Sequence, residues 1–228
     1  MNKKPIAIIL GAGGGLGQTL CQQFHESGYL VVGINRTMTQ VDNANFELHQ
    51  ANLSDTAETK VVLQNILENF GTPDVVIHNT AQLVIKPFLH TSSDEFNATW
   101  QSMNFSFFSA MQTLLPPMVK AGKGTVIVSG ATASIRGGAK FAAFASAKFA
   151  LRGLTQSLAR EFQSQGIHIV HVLLDGIIDT PKSRALHSLD PEKMMMPKDI
   201  AAQYLALVEQ PSSIWTHELD LRPSSESF

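Results

Sequence analysis

The stretch IAIILGAGGGLG at residues 6–17 decides the fold class of this 228-residue chain. Residues 6–10 form a continuous apolar run, which is typical of a strand buried on both faces of a parallel sheet. The glycines that follow lead directly into residues 16–27, where Leu20 and Phe24 recur at helical spacing before Gly28. The pattern predicts a strand, a tight turn and a helix in succession.

The same alternation continues along the rest of the chain. Apolar runs predict further strands at residues 30–34, 46–49, 74–77, 125–129, 167–174 and 214–221. Helical spacing predicts helices at residues 57–70, 93–119, 140–164 and 198–209. This order indicates an α/β fold, a single-domain Rossmann-type doubly wound parallel sheet flanked by helices on both faces. We assign residues 1–222 to this domain and the polar residues 223–228 to a C-terminal tail.

Composition excludes several classes of protein. Hydrophobic residues make up 44% of the chain and charged residues 16%, so a disordered chain is excluded. Seventeen Lys and Arg against nineteen Asp and Glu give a net charge of −2, which argues against nucleic acid or an anionic membrane as partner. No apolar run approaches the ~20 residues that cross a bilayer.

Cysteine and histidine usage bears on compartment and metals. Cys21 is the only cysteine, so an intramolecular disulfide is excluded and a reducing cytoplasm is the expected location. The eight histidines show no spacing typical of metal ligands, and we predict no metal site.

The glycine-rich turn has the composition of a phosphate-binding loop. Its glycines permit backbone angles closed to other residues and a close approach to a pyrophosphate, while the helix that follows presents free amides to an anion. We therefore assign dinucleotide binding to Gly11, Gly13, Gly15, Leu16 and Gly17. A purely structural turn is the alternative.

The end of the second predicted strand bears on cofactor choice. Dinucleotide sites that hold NAD(H) usually place an acidic residue about 20 positions after the glycines. Here that place holds Asn35 and Arg36, and residues 31–41 contain no carboxylate. Arg36 can pair with a 2′-phosphate, so NADP(H) is favoured over NAD(H). Arg36 as a solvated surface cation is the alternative.

Two later motifs point to one family. The sequence HNTAQ at residues 78–82 keeps Asn79 and Ala81 of an Asn-Asn-Ala-Gly segment, and FASAK at residues 144–148 stands where a Tyr-x-x-x-Lys motif is expected. With the glycine turn, these motifs resemble the short-chain dehydrogenase/reductase family over nearly the whole length. The resemblance implies a nicotinamide dinucleotide and a small-molecule substrate with a carbonyl or alcohol group.

The resemblance also assigns residues outside those motifs. Asn52 and Leu53 stand where the family usually has Asp-Val beside the adenine. Asn104 matches the long-helix asparagine that supports the family's proton relay. Gly176 and Thr180 match a glycine and a cofactor-contacting threonine that follow the sixth strand.

The family's catalytic acid is absent from this chain. By resemblance, Phe144 replaces the tyrosine and Ala131 replaces a serine thirteen residues earlier, while Lys148 is retained to hold the nicotinamide ribose. A carbonyl that accepts hydride needs a hydrogen-bond donor and a proton, and Phe144 supplies neither. Thr132 is a candidate substitute donor; Asp175, where the family has proline, either acts as a buried acid or caps its loop.

Two functions from different classes remain open. The first is an NADP(H)-binding oxidoreductase whose hydride transfer is impaired or unusual. The second is a non-catalytic member that serves as a cofactor sensor, scaffold or partner subunit. For either function, the helices around residues 105–115 and 149–158 have apolar faces that a monomer buries on only one side. The family that the chain resembles often associates through these helices, which implies a homodimer or homotetramer. Met194, Met195 and Met196 either cover the substrate or pack in the core or at an interface.

Overall fold

The computed structural model describes residues 3–37 and 46–226. Within them, seven strands form one parallel sheet in the order β3-β2-β1-β4-β5-β6-β7. The strands are β1 (Ile6–Leu10), β2 (Leu30–Asn35), β3 (Glu47–Gln50), β4 (Val75–His78), β5 (Gly124–Ser129), β6 (Ile167–Leu174) and β7 (Glu218–Leu221). The predicted Rossmann-type α/β fold is confirmed, and the central strands are buried along their whole length, as continuous apolar runs require.

Helices cover both faces of the sheet. They are α1 (Leu16–Glu26), α2 (Thr56–Phe70), α3 (Ser93–Trp100), α4 (Ser106–Ala121), α5 (Ala142–Phe162), α6 (Pro181–Leu186) and α7 (Pro197–Val208). Alternate residues of β1 belong to two separate cores: Ile6, Ile8 and Leu10 pack with α2, α4 and α5, whereas Ala7 and Ile9 pack with α1 and α7. The sheet is thus the shared wall of two hydrophobic layers.

Two predicted elements differ from those observed. The helix predicted at residues 93–119 is interrupted by a π-helical turn, Gln101–Phe105, which separates α3 from α4. The strand predicted at residues 214–221 begins only at Glu218, because Ser212–Ile214 form a short 3₁₀ turn instead. Both predictions were wrong at these segments, since an apolar pattern does not distinguish a π turn from an α turn or a 3₁₀ turn from a strand end.

The strand order reverses at β1, with β2 on one side and β4 on the other. In open parallel sheets, this reversal opens a crevice at the carboxyl ends of the strands, where ligands bind. The glycine turn follows β1 at this edge. None of the helices in residues 3–37 and 46–226 is long and apolar enough to cross a membrane.

Candidate active site

The glycine turn is held tightly between β1, β2 and α1. The amides of Gly11 and Ala12 both donate to the carbonyl oxygen of Ile34, at 2.9 and 3.0 Å. Gly11 has a φ of +90°, which disfavours other residues, and a Cβ at Gly17 would lie 2.1 Å from the Gly11 carbonyl oxygen. Both glycines are therefore required for α1 to begin directly against the turn.

The first turn of α1 is open to an anion. Gly15 precedes the helix, no side chain caps its amides, and no acidic residue lies in its first turn. A Cβ at Gly14 would meet no atom within 4 Å, so there is free space above the turn. The Gln18 amide is used within the turn, where it donates to the Gly13 carbonyl oxygen at 2.9 Å. The helix dipole at the start of α1 and the free space above the turn suit a pyrophosphate, and these residues fit a dinucleotide.

The predicted adenosine end of the site is polar and open. Asn35 lies beside Gly13 and donates from its Nδ2 to the Thr37 carbonyl oxygen at 2.8 Å. Arg36 is exposed, and among the described residues no carboxylate pairs with its guanidinium. The rest of the carboxylate-free stretch, residues 38–41, lies outside the described residues.

Asn52 and Leu53 follow β3 and have local structural contacts. Asn52 accepts a hydrogen bond from the Ser54 amide at 3.2 Å. Leu53 is buried, and its carbonyl accepts from the Thr59 hydroxyl at 3.1 Å. The Asn52 side chain therefore orders the turn into α2, and the adenine contact of this pair stays a prediction.

A buried hydrogen-bonded chain fixes the carboxyl ends of β4 and β5. Asn79 donates to the Gly11 carbonyl oxygen at 3.3 Å and accepts from the Ser129 hydroxyl at 3.0 Å. The Ser129 oxygen lies 2.9 Å from the Tyr204 hydroxyl oxygen, and since Ser129 has already donated its proton, Tyr204 is the donor. Burial raises the pKa of Tyr204, which keeps this hydroxyl protonated. The chain ties the glycine turn to α7.

Lys148 lies at the floor of the crevice, almost fully buried. Its ammonium donates to the Ser129 carbonyl oxygen at 2.7 Å and stands 5.7 Å from the centre of the Phe144 ring. Burial lowers the pKa of Lys148 to about 8. Asn104, in the π turn, donates to the carbonyl oxygen of Ala147 at 3.1 Å, so it holds the backbone immediately before Lys148.

Ser129 and Ser134, the serines near Phe144 in the predicted site, both form hydrogen bonds within the protein. Ser134 is fully buried and accepts from the Ala131 amide at 3.1 Å, while Ser129 donates to Asn79. The Ser129 proton is thus already used, and Ser134 does not lie on the described lining of the cavity. Ala131 has no side-chain hydroxyl to replace the serine.

Thr132 is part of a charged arrangement that the sequence did not reveal. Its hydroxyl donates to one oxygen of Asp175, whose other oxygen lies 3.2 Å from an Arg222 Nη. Asp175 is 3% exposed, and Arg222 also pairs with Asp220. The expectation that Asp175 caps its own loop is wrong, because its carboxylate reaches across to Thr132 and Arg222 instead.

These residues surround a cavity of about 590 Å³. Its walls are apolar, with Leu83, Ile85, Phe141, Ile178 and Leu186 among them, and it is closed on one side by α6. The structure brings together on its lining the predicted site residues Asn79, Ala81, Ala131, Thr132, Phe144, Lys148 and Gly176. Asn104, Asn35, Arg36, Asn52, Leu53 and the glycine turn lie outside the lining.

Thr180, which is predicted to contact the cofactor, lies at the start of α6. Thr180 caps α6 by accepting a hydrogen bond from the Ser183 amide at 3.0 Å. A Cβ at Gly15 would lie 2.7 Å from the Thr180 methyl group, so Thr180 touches the glycine turn. In the methionine run, Met194 and Met195 are buried, and only Met196 is substantially exposed.

Sequence reasoning missed three contributors to the site. Tyr204 and Arg222 lie far along the chain from the residues they contact, and only the fold brings them there. Tyr204 carried a weak signal, since a tyrosine within an apolar helical face must find a partner for its hydroxyl. Arg136, which lines the cavity, carried none.

Comparison with known proteins identifies the family. The family model described as short chain dehydrogenase matches residues 5–189. The 3-oxoacyl-[acyl-carrier-protein] reductase of Salmonella typhimurium is 30% identical over 187 residues, which cover 79% of this chain and 76% of that protein. ElxO with NADP bound has a TM-score of 0.88 at 22% identity, covering 96% of this chain and 97% of that one. A tyrosine-to-phenylalanine variant of ElxO with NADPH bound has a TM-score of 0.87, at 22% identity and coverages of 95% and 96%. The crevice, its glycine turn and these likenesses together lead to one conclusion: the chain belongs to the short-chain dehydrogenase family of oxidoreductases.

Proposed function

We propose that this protein is an NADP(H)-dependent oxidoreductase that interconverts a carbonyl and an alcohol with Thr132 and Asp175 in place of the family's tyrosine. The observation that carries the proposal is the Thr132–Asp175–Arg222 chain. It connects a hydroxyl on the cavity lining to a buried carboxylate, on the same cavity as Phe144 and Lys148.

The preference for NADP(H) rests on the end of β2. Arg36 is exposed beside Asn35, and a guanidinium binds a phosphate through two parallel hydrogen bonds. No described residue of 31–37 is acidic, so nothing there repels a 2′-phosphate. ElxO, which shares the fold, binds NADP.

The nicotinamide supplies or accepts hydride when the cofactor is bound, and the protein must handle the matching proton. Phe144 has no proton to give. In carbonyl reduction, the Thr132 hydroxyl gives its proton to the substrate oxygen, and a proton from water, relayed by the Asp175 carboxylate, restores the hydroxyl. In alcohol oxidation, Thr132 takes the proton from the substrate hydroxyl as its own passes to the Asp175 carboxylate. The count of protons balances in both directions.

Lys148 and Asn79 have supporting tasks in this proposal. The Lys148 ammonium is anchored by the Ser129 carbonyl and faces the cavity beside Phe144, where it stabilises negative charge on ligand oxygens. Asn79 keeps the glycine turn and β5 in a fixed relation through its two hydrogen bonds. Both tasks survive the replacement of tyrosine by phenylalanine.

A fluorescence titration with NADPH and then NADH tests the cofactor assignment. We expect micromolar binding of NADPH, weaker binding of NADH, and a loss of that difference in Arg36→Ala. Arg160→Ala removes an exposed arginine from α5 and is the matched control. Equal affinity for the two nucleotides in the wild-type protein would contradict the NADP(H) preference.

The proton chain is tested with a panel of aldehydes, ketones and alcohols. We expect Thr132→Val and Asp175→Asn each to lower turnover by roughly 10²- to 10⁴-fold, the usual contribution of a positioned acid or base. NADPH affinity in Thr132→Val should stay unchanged, which shows that the protein is folded. Undiminished turnover in Thr132→Val would contradict the proposal.

A non-catalytic cofactor sensor, scaffold or partner subunit is the second candidate, favoured by Phe144 itself. It predicts tight NADPH binding with no turnover on the panel. Restoring the family pattern with Phe144→Tyr and Ala131→Ser then separates the two. A gain of carbonyl reduction in this double variant of an inactive protein would favour the sensor, because only the acid would have been lacking.

A further inference from the structure

Two exposed cations, Arg136 and Lys182, lie at the cavity. Arg136 follows the 3₁₀ turn Thr132–Ser134, and Lys182 lies on α6, so they reach the lining from two different elements. Both are exposed. Within residues 3–37 and 46–226, neither forms a salt bridge with Asp or Glu.

The two basic residues of α6, Lys182 and Arg184, have different surroundings. Arg184 is held by Asp179 through two hydrogen bonds of 2.6 and 2.7 Å, and it does not line the cavity. Lys182, two positions earlier, lines the cavity and has no such partner in the described residues. The charge of Arg184 is therefore neutralised by Asp179, whereas the positive charge of Lys182 lies at the cavity.

No Asp or Glu is found on the described lining of the cavity. The nearby Asp175 carboxylate is already shared between Thr132 and Arg222. Lys148, Arg136 and Lys182 therefore make the cavity positive, although the whole chain has a net charge of −2. Such a concentration of one sign in a concave, apolar site attracts ligands of the opposite charge.

The remaining lining sets the other part of the ligand. Leu83, Ile85, Phe141 and Leu186 line the cavity with apolar surface, and Gly137 and Gly138 add no side chains that fill it. Transfer of an alkyl chain or ring from water to such a surface lowers the free energy.

We infer that the substrate is an amphiphilic acid: an apolar chain or ring that ends in an anionic group, which Arg136 and Lys182 bind at the cavity. This inference rests on the proposed function and adds the substrate class. A carboxylate and a phosphate share the required chemistry, and the experiment distinguishes them.

The test is calorimetric titration of the NADPH-saturated protein with octanoate, octyl phosphate and the neutral octanamide. We expect at least one of the two anions to bind about tenfold or more tightly than octanamide. That advantage should shrink when the salt is raised from about 0.05 M to about 0.5 M, because exposed charges are screened. The tighter of the two anions identifies the group.

Two double variants test whether Arg136 and Lys182 cause the preference for the anions over octanamide. Arg136→Gln with Lys182→Gln should abolish the advantage of the anion and leave octanamide binding unchanged. Lys193→Gln with Lys198→Gln removes two exposed lysines outside the cavity lining and should leave the advantage intact. NADPH affinity measured on both double variants shows whether they are folded.

The outcomes separate this inference from the proposed function. Equal binding of the anions and octanamide, no binding of any of them, or an advantage that survives Arg136→Gln with Lys182→Gln would overturn the inference. NADPH binding and turnover in the same preparations would leave the proposed function standing. An anion preference without any NADPH binding would support the cavity assignment and overturn the proposed function.

Discussion

At the scale of single residues, we propose that Phe144, in the place of the family's tyrosine, changes the chemistry of the site while keeping its shape. Its ring has nearly the volume of a tyrosine ring, so the neighbouring wall of the cavity does not need to repack. The Lys148 ammonium has the π-face of Phe144 and the Ser129 carbonyl as its neighbours. In this proposal, the loss of the tyrosine hydroxyl leaves Lys148 in position and removes a proton source.

Burial of Lys148 makes the stability of the protein depend on pH in a defined direction. Its pKa in the folded protein is about 8, below the ordinary value of 10.5, so the unfolded chain binds more protons between these values. The free energy of unfolding should therefore rise, through this residue, as the pH increases from 8 to 10.5. Urea unfolding at several pH values, compared with Lys148→Met, measures the effect. A difference between the two proteins that is independent of pH would contradict it.

The glycine turn provides a prediction with an internal control. In Gly17→Ala, the new methyl would lie 2.1 Å from a backbone oxygen, so α1 must move away from the turn. We expect a loss of about 1–3 kcal/mol in unfolding free energy and a marked loss of NADPH affinity. Gly14→Ala, whose methyl would meet no atom within 4 Å, should remain close to the wild-type stability. Urea unfolding and NADPH titration of both variants give the comparison, and similar losses in the two would argue against the packing explanation.

At the scale of elements, the sequence predicts the buried strands and long helices well. A parallel strand such as β6 is buried on both faces, and its continuous apolar run is visible in the letters alone. The π turn is not visible, because its hydrogen bonds shift by one residue while the apolar spacing hardly changes. The short β7 is exposed on alternate residues and leaves a weaker pattern.

The candidate active site also has some features that the sequence predicts and others that it does not. Motifs that follow a strand directly, such as the glycine turn and Asn79, are predictable because the carboxyl ends of parallel strands share one edge. Contacts between distant elements are not, since nothing in the local sequence pairs Thr132 with Asp175 or Ser129 with Tyr204. The separation of Lys182 from Arg184 on one helix also depends on the placement of Asp179 in space.

At the β7 edge of the sheet, Glu218 forms a cluster of hydrogen bonds with Arg152 and Gln156 of α5. Glu218 of β7 accepts two hydrogen bonds from Arg152 at 2.8 and 2.7 Å and one from Gln156 at 2.7 Å, which joins β7 to α5. Hydrogen bonding from Arg152 is the main cause that lowers the pKa of Glu218 to about 2, against an ordinary 4.5. The contribution of ionised Glu218 to the free energy of unfolding is therefore complete above pH 4.5 and is lost as the pH falls towards 2.

Glu218→Gln tests this cluster. At neutral pH we expect the variant to lose about 0.5–1 kcal/mol, in the range of partly exposed ion pairs. The difference in thermal unfolding between variant and wild type should narrow as the pH falls from 5 to about 2.5, because protonation removes the same charge. Glu58→Gln, an exposed position on α2, is the control. A constant gap across this pH range would be inconsistent with the assigned pair.

At the scale of the whole molecule, we propose that the chain associates through α4 and α5. Phe108 and Phe149 are 49% and 45% exposed on these helices, and Phe105 in the preceding π turn is 45% exposed. Light scattering at micromolar concentration should give the mass of a dimer or tetramer. Phe108→Asp with Phe149→Asp should dissociate it, whereas Leu89→Asp, at a position 91% exposed elsewhere, should not. A monomeric mass for the wild-type protein would refute this assembly.

The contact between Thr180 and Gly15 joins the two ligand sites that the proposed function requires. Helix α6, which carries Lys182, starts where the Thr180 methyl group contacts the glycine turn, so the positions of the helix and the turn are set together. Under the proposed function, binding of the nucleotide at the glycine turn and binding of the substrate in the cavity are then linked by one coupling free energy. By reciprocity, each ligand changes the affinity of the other by the same factor.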